Sequence, residues 1–234
     1  EEIAENVIDA LESCGKPAVV HLIGLASSSR GGGGNSAGAT VTYADSLEET
    51  ARKAVAVASG RRYERRTFDL SEREIDELVR RETEAISSAQ RYLRGFFTGG
   101  TLTDEAVYVL NDTLGGIHSF DPVDPTRALS DPHVSQEHTI VDLGEDVFTV
   151  GRPHPMIDPS IRTERMVREA ADDGVAVVLL DCVIGYGSHP DPAGALAPAI
   201  TTMKEAAEKR GGDLAVVASV TGTEGAFQGI DAQK

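Results

Sequence analysis

The sequence predicts an α/β protein built on a doubly wound parallel sheet, and three observations carry that prediction. Segments with strand and helix periodicity alternate along most of the 234 residues. Val175 to Ile184 is a continuous apolar run of the kind that βαβ crossovers bury on both faces. Two loops rich in Gly, Pro and His, Gly151 to Asp158 and Gly185 to Asp191, follow two of the strands. If those strands are parallel, both loops emerge at one carboxyl edge, where open α/β sheets bind ligands.

Residues 1–60 read as the end of a first α/β unit. Ile3, Val7, Ile8 and Leu11 share a helical face, Gly15 ends the helix, and Pro17 to Ile23 is a short buried strand. Ser27 to Gly38, SSSRGGGGNSAG, reads either as a flexible loop or as a backbone amide nest for an anion. Ser46 ahead of Glu48 and Glu49 opens a helix with Leu47, Ala51, Ala54, Val55 and Ala58 on its apolar side. A charged connector, 61–90, follows. Ser71 with Glu74 is a capping-box pattern for a helix from about Glu72 to Gln90, whose stripe of Ile75, Leu78, Val79 and Ile86 is too short for heptads. It is expected to lie on the second domain as a solvated linker.

The second domain occupies 91–234. YLRGFFTGGTLTDEA reads as strand, Gly-Gly turn and helix, and Gly116 to Glu137 as an ordered loop. The strand HTIVDLG, the loop RPHPMIDP, a helix Ser160 to Asp172 and the strand Val175 to Ile184 come next. A helix Ala193 to Arg210 and a strand Leu214 to Val220 ending in TGTEG complete the alternation. The expected sheet is flavodoxin-like in size and covered on both faces. It is also expected to be incomplete at its carboxyl end, since a further helix, strand and helix would finish it.

A net charge of −16 argues against nucleic acid and anionic membrane as partners, because phosphates would be repelled. No apolar run is long enough to span a bilayer and no leader pattern opens the chain, so a cytoplasmic protein is expected. Cys14 and Cys182 have no metal-type spacing and read as reduced packing residues. His118, His133 and His138 match no ligand pattern and read as solvated loop histidines; no metal is expected.

The strand-end loops supply the candidate site. Gly99, Gly100 and Thr101 open a helix whose free backbone N–H groups and dipole suit a phosphate, or form only a tight capped turn. His154, stiffened by Pro153 and Pro155, can transfer a proton. Arg152 and Arg162 can clamp a carboxylate or phosphate. Asp158 can orient an imidazole, although Pro159 after it marks a helix cap as readily. Gly185 and Gly187 around Tyr186 allow backbone amides to approach a ligand, and His189, Thr221, Thr223 and Glu224 add polar groups to the same edge. No Walker loop, nucleophile elbow or CxxC is present.

The segments FFTGGTLTDEA, DLGEDVFTVGRPHPMIDPSIRTERM, VAVVLLDCVIGYGSHPDPAGALAPAI and LAVVASVTGTEG closely resemble the FdrA family, acyl-CoA-synthetase-like proteins of the succinyl-CoA synthetase superfamily. The resemblance implies the end of one flavodoxin-like succinyl-CoA synthetase domain, a connector and most of a second CoA-ligase-type domain, with an amino-terminal CoA-binding-type domain missing. Nucleoside-diphosphate-forming acyl-CoA synthetases of that superfamily carry a phosphorylated histidine in a Gly-His-Ala-Gly-Ala loop. The comparable residues here, Gly33 to Ala39, contain none. The resemblance therefore implies a subunit of an oxamate carbamoyltransferase complex of allantoin breakdown, which converts oxalurate and phosphate into oxamate and carbamoyl phosphate. In that role phosphate or carbamoyl phosphate is the ligand at Gly99 to Thr101, Arg152 engages the substrate carboxylate, His154 is the acid, and amides at 185–187 hold the oxyanion. An oligomer containing further subunits is expected. The alternatives are an acyl-CoA synthetase that binds CoA, and a non-catalytic scaffold subunit.

Overall fold

Two units, Glu1–Asp69 and Leu70–Lys234, make up the chain, of which the computed structural model describes residues 2–23, 41–66 and 69–234. The first unit carries α1 (Glu2–Ser13), β1 (Ala18–Val20), β2 (Val41–Tyr43) and α2 (Leu47–Ala58). The two strands are parallel, with Ala18 opposite Val41. Three residues are too few to show an alternating pattern, so β2 left no mark in the sequence reading. Ser46 caps α2 by accepting from the Glu49 N–H at 3.1 Å. Ser27 to Gly38, with its candidate amide nest, lies outside the described residues. Cys14 is exposed, contrary to the packing role expected for it, whereas Cys182 is buried.

In the second unit, α3 (Glu72–Thr83) begins with the expected capping box between Ser71 and Glu74. It stops seven residues early. The chain instead turns through bonds from Ile86 N to Thr83 O and from Gln90 N to Ser87 O. Gln90 then anchors the sheet by donating to the carbonyls of Val175 and Asp213. No residue of α3 is buried, in keeping with a solvated helix; Val79 is 54% exposed.

The remaining elements are β3 (Tyr92–Phe97), α4 (Gly100–Leu114), β4 (Thr139–Asp142), α5 (Asp146–Thr149), α6 (Ser160–Glu169), β5 (Val175–Val183), α7 (Pro192–Lys209) and β6 (Ala215–Thr221). All four strands are parallel, in the order β4-β3-β5-β6. The second strand of the unit thus lies outside the first, which is flavodoxin-type winding with its reversal between β3 and β5. Consecutive residues of β3 point to opposite faces. Phe97 packs with Val107 of α4, Ile117 and Ile140, while Phe96 packs with Met166 of α6 and Leu196 and Met203 of α7. Gly95 is needed where β3 passes β4, since a Cβ there would stand 2.8 Å from the Ile140 side chain.

The amino half of the unit is held by buried ions. Arg94 of β3 bonds Glu169 at 3.1 Å and Asp172 at 2.5 Å, and Arg165 bonds the other oxygen of Glu169 at 2.8 Å. Two of the loop histidines are structural rather than solvated. The Arg127 carbonyl, 3.1 Å from His118 Nδ1, can only accept, so Nδ1 carries the proton and Nε2 accepts from the Arg127 guanidinium. His138 Nδ1 accepts from the Leu93 N–H at 3.2 Å, and burial lowers its pKa. His133 is the exposed one, packed edge-on against Phe148.

Candidate anion site at the carboxyl edge

The turn after β3 is set from beneath. Thr98 donates through both N–H and Oγ1 to Asp181 Oδ2, at 3.1 and 2.7 Å. Asp181 stands in β5 with 0% exposure. Arg162 of α6, 3% exposed, meets the other carboxylate oxygen at 3.0 Å and also donates to the Asp181 carbonyl. Burial pulls the Arg162 pKa down while Asp181 pushes it up. Breaking one half of such a pair strands the other charge, so the pair acts as a fixed floor for Gly99 and Gly100.

Gly99 is the N-cap of α4, with extended backbone and no side-chain cap. The N–H groups of Gly100, Thr101 and Leu102 therefore have no acceptor among the described residues. They face the carboxyl edge at the positive end of the helix dipole, beside the switch point between β3 and β5.

Asp142, the last residue of β4, closes the other side. Its Oδ1 accepts from the Gly144 N–H at 2.7 Å, and its Oδ2 lies 3.6 Å from where a Cβ of Gly100 would stand. Burial first, and then Glu145 and Asp181, push the Asp142 pKa up against the opposing Gly144 N–H and His154. His154 Nδ1 accepts from the Met156 N–H at 3.2 Å, which puts the ring proton on Nε2. That nitrogen lies 2.5 Å from the point a Gly144 Cβ would occupy, so the missing side chain is what admits the imidazole.

The edge thus brings together Gly99, Gly100, Thr101 and His154 from the sequence prediction, and adds Asp142. The other candidates are engaged elsewhere. Arg152 is exposed and clamped bidentately on Glu164 at 2.8 and 2.9 Å, so its proposed hold on a substrate carboxylate is already taken. Arg162 is likewise committed to Asp181. Asp158 accepts from the Ser160 N–H at 3.0 Å, which together with Arg152 and His189 holds its pKa down; Pro159, and not Asp158, is the N-cap of α6. The Gly185 N–H donates to Gln228 Oε1 at 3.2 Å and so is not free for an oxyanion. Tyr186 is fully exposed, between Gly185 and Gly187 at φ 149° and 88°. Thr221 gives its carbonyl to the Ile184 N–H at 2.9 Å, and Thr223 and Glu224 lie exposed in the following turn.

His189 Nδ1 accepts from the Asp191 N–H at 3.0 Å, and the His189 N–H reaches the Met156 carbonyl at 2.8 Å. This last bond ties the two histidine loops together. Between them, Thr98, Met156, Arg162 and His189 line a cavity of about 10 Å³, room for about one water. Gln228 straps the second loop through its Nε2, whose two protons are shared among the Gly185 carbonyl, Ser188 Oγ and the His189 carbonyl at 2.9–3.1 Å. Among the described residues no helix is long and apolar enough to cross a membrane, and no three His, Cys, Asp or Glu side chains gather as metal ligands.

Fold and edge together define a parallel α/β domain whose strand-end turn opens a helix with three unpaired N–H groups among the described residues. The CoA-ligase family matches residues 96–234, from the end of β3 through β6, and the chain belongs to that family as a succinyl-CoA-synthetase-like protein. It is also 34% identical over 222 residues to the uncharacterized protein YahF of Escherichia coli (strain K12). That alignment covers 95% of this chain and 41% of YahF, so the chain spans less than half the length of that relative.

Proposed function

We propose that this chain is the phosphate-binding part of an FdrA-type carbamoyltransferase, in which phosphate and oxalurate give carbamoyl phosphate and oxamate. One observation carries the reading: the uncapped start of α4 turns three backbone N–H groups toward the carboxyl edge, where Asp142 Oδ2 lies beside Gly100 and His154 presents Nε2–H at the neighbouring Gly144. An attacking phosphate oxygen forms the new bond to the carbamoyl carbon. The bond from that carbon to the oxamate nitrogen breaks, and the departing nitrogen takes up a proton. In this reading His154 supplies that proton or polarises the carbamoyl oxygen. The comparable residues, Gly33 to Ala39, include no histidine, which favours direct transfer to phosphate over a phosphohistidine relay. Further subunits complete the enzyme in this reading.

Gly99→Asp tests it. Gly99 is extended at φ −172°, and nothing lies within 4 Å of an added Cβ, so aspartate fits. Its carboxylate would cap the helix and occupy the site from within. Calorimetric titration should show phosphate and carbamoyl phosphate binding to the wild-type chain, with binding abolished in a Gly99→Asp variant of equal or greater stability. Unchanged phosphate binding in that variant would refute the site. The family match favours a second reading, acid–thiol ligation; CoA binding that Gly99→Asp leaves intact would support it.

A further inference from the structure

We infer that Asp142 and His154 form a matched acceptor and donor that reads a primary amide, making this edge selective for carbamoyl over acyl phosphates. The inference rests on the phosphate reading above and names the group that the phosphate carries.

The pair has three properties that suit the task. The two side chains flank one backbone position: His154 Nε2 lies 2.5 Å and Asp142 Oδ1 3.0 Å from the Cβ that Gly144 lacks. Each has one atom already committed to the protein, which fixes the role of the other. The Met156 N–H on Nδ1 leaves His154 to present Nε2–H, and the Gly144 N–H on Oδ1 leaves Asp142 to present Oδ2. Neither outward atom has a partner among the described residues. Finally, Oδ2 lies beside Gly100, the first residue of α4, so the pair stands next to the N–H groups that hold the phosphate.

One free donor and one free acceptor, on two side chains that meet at Gly144, can together complement an –NH–C=O edge. A carbamoyl group satisfies both at once, its oxygen accepting from Nε2–H and its amino group donating to Oδ2. An acyl group of the same shape has a methyl where the amino group stands. Its binding would bury Oδ2 against carbon with no donor, which is costly for a carboxyl oxygen. Discrimination by an unpaired polar group is far stronger than discrimination by size.

The experiment compares carbamoyl phosphate with acetyl phosphate, which differ by NH₂ against CH₃, and uses inorganic phosphate as the common reference. The full chain should bind carbamoyl phosphate about tenfold to a hundredfold more tightly than acetyl phosphate, the range of a hydrogen bond to a charged group. Asp142→Asn keeps the volume, and its oxygen stays on the Gly144 N–H, so its NH₂ faces the ligand; the affinity ratio should fall to about one. Gly144→Ala, whose Cβ crowds His154 at 2.5 Å and Asp142 at 3.0 Å, should lower the ratio as well. The ratio cancels any general effect of either variant on the phosphate site. A wild-type ratio near one with phosphate bound would overturn the inference alone, as would a high ratio that survives both variants. Failure of all three ligands to bind would overturn the phosphate reading as well.

Discussion

The buried pair beneath the Thr98 turn gives a sharp energetic prediction. Asp181→Asn preserves shape and the acceptor for Thr98 but leaves Arg162, 3% exposed, without its counter-ion at 3.0 Å. Removing one partner of a buried pair costs about 3–5 kcal/mol. For a unit the size of Leu70–Lys234, each kcal/mol moves the midpoint by about 2–4 °C, so a fall of roughly 6–20 °C is expected. Arg162→Met should cost about as much, since it strands Asp181 at 0% exposure. The double variant has no stranded charge, and should be less damaging than the sum of the singles by about 2 kcal/mol or more. Scanning calorimetry of the four proteins, following the transition of this unit, measures the cycle. Additivity within about 0.5 kcal/mol would show that the two residues stabilise the turn independently, refuting the coupled floor proposed for Gly99 and Gly100.

Two further outcomes follow from the same edge. Asp142 has a folded pKa raised above its unfolded value of about 3.9, so its ionisation costs stability progressively as pH rises from about 4 through the folded pKa. Asp142→Asn should therefore gain stability relative to wild type over that window, read as the difference in urea midpoint; a difference flat from pH 3 to pH 7 would contradict the raised pKa. Gln228→Ala removes one acceptor and a two-proton donor shared among three acceptors from the loop 185–189. Exchange of the Gly185 amide should quicken at least tenfold while Val178, in mid-sheet, keeps its protection; equal protection at Gly185 would show that the strap is idle.

The sequence made the framework legible wherever a local rule had no competitor. Ser46 and Ser71 announce their helices because a hydroxyl one step before a helix has a specific N–H to satisfy, and both bonds form. The apolar run of β5 and the Thr-Gly-Gly turn were readable for the same reason. What escaped were facts of packing. In α6, Ile161, Arg162, Arg165, Met166 and Glu169 are all buried, so charged residues occupy the inward face. A periodicity reading assigns arginine to solvent, and nothing local separates Arg162, locked under the sheet edge, from Arg152, exposed on Glu164. Asp181 and Asp142 did leave a signal. Each is a single acid in or closing an apolar strand, which a parallel sheet tolerates only where a partner or a ligand meets it.

Charge bookkeeping explains why the edge must work through backbone and neutral donors. Arg152 and Arg162, the two cationic candidates of these loops, are both paired to carboxylates, and the formal charges nearest the start of α4 are acidic. Asp104 has its pKa raised by burial and then by Asp121 and Glu145, and Asp142 is shifted the same way. In the proposed reading, an anion at Gly100 to Leu102 would be attracted by a helix dipole and short N–H donors that act within one turn, and opposed by carboxyls just beyond it. A long-range field would gather any anion; this arrangement repels those that cannot reach the donors. With a chain charge of −16, selectivity in the proposed reading rests on the groups that touch the ligand, and a single acceptor on Asp142 would then decide what the phosphate carries.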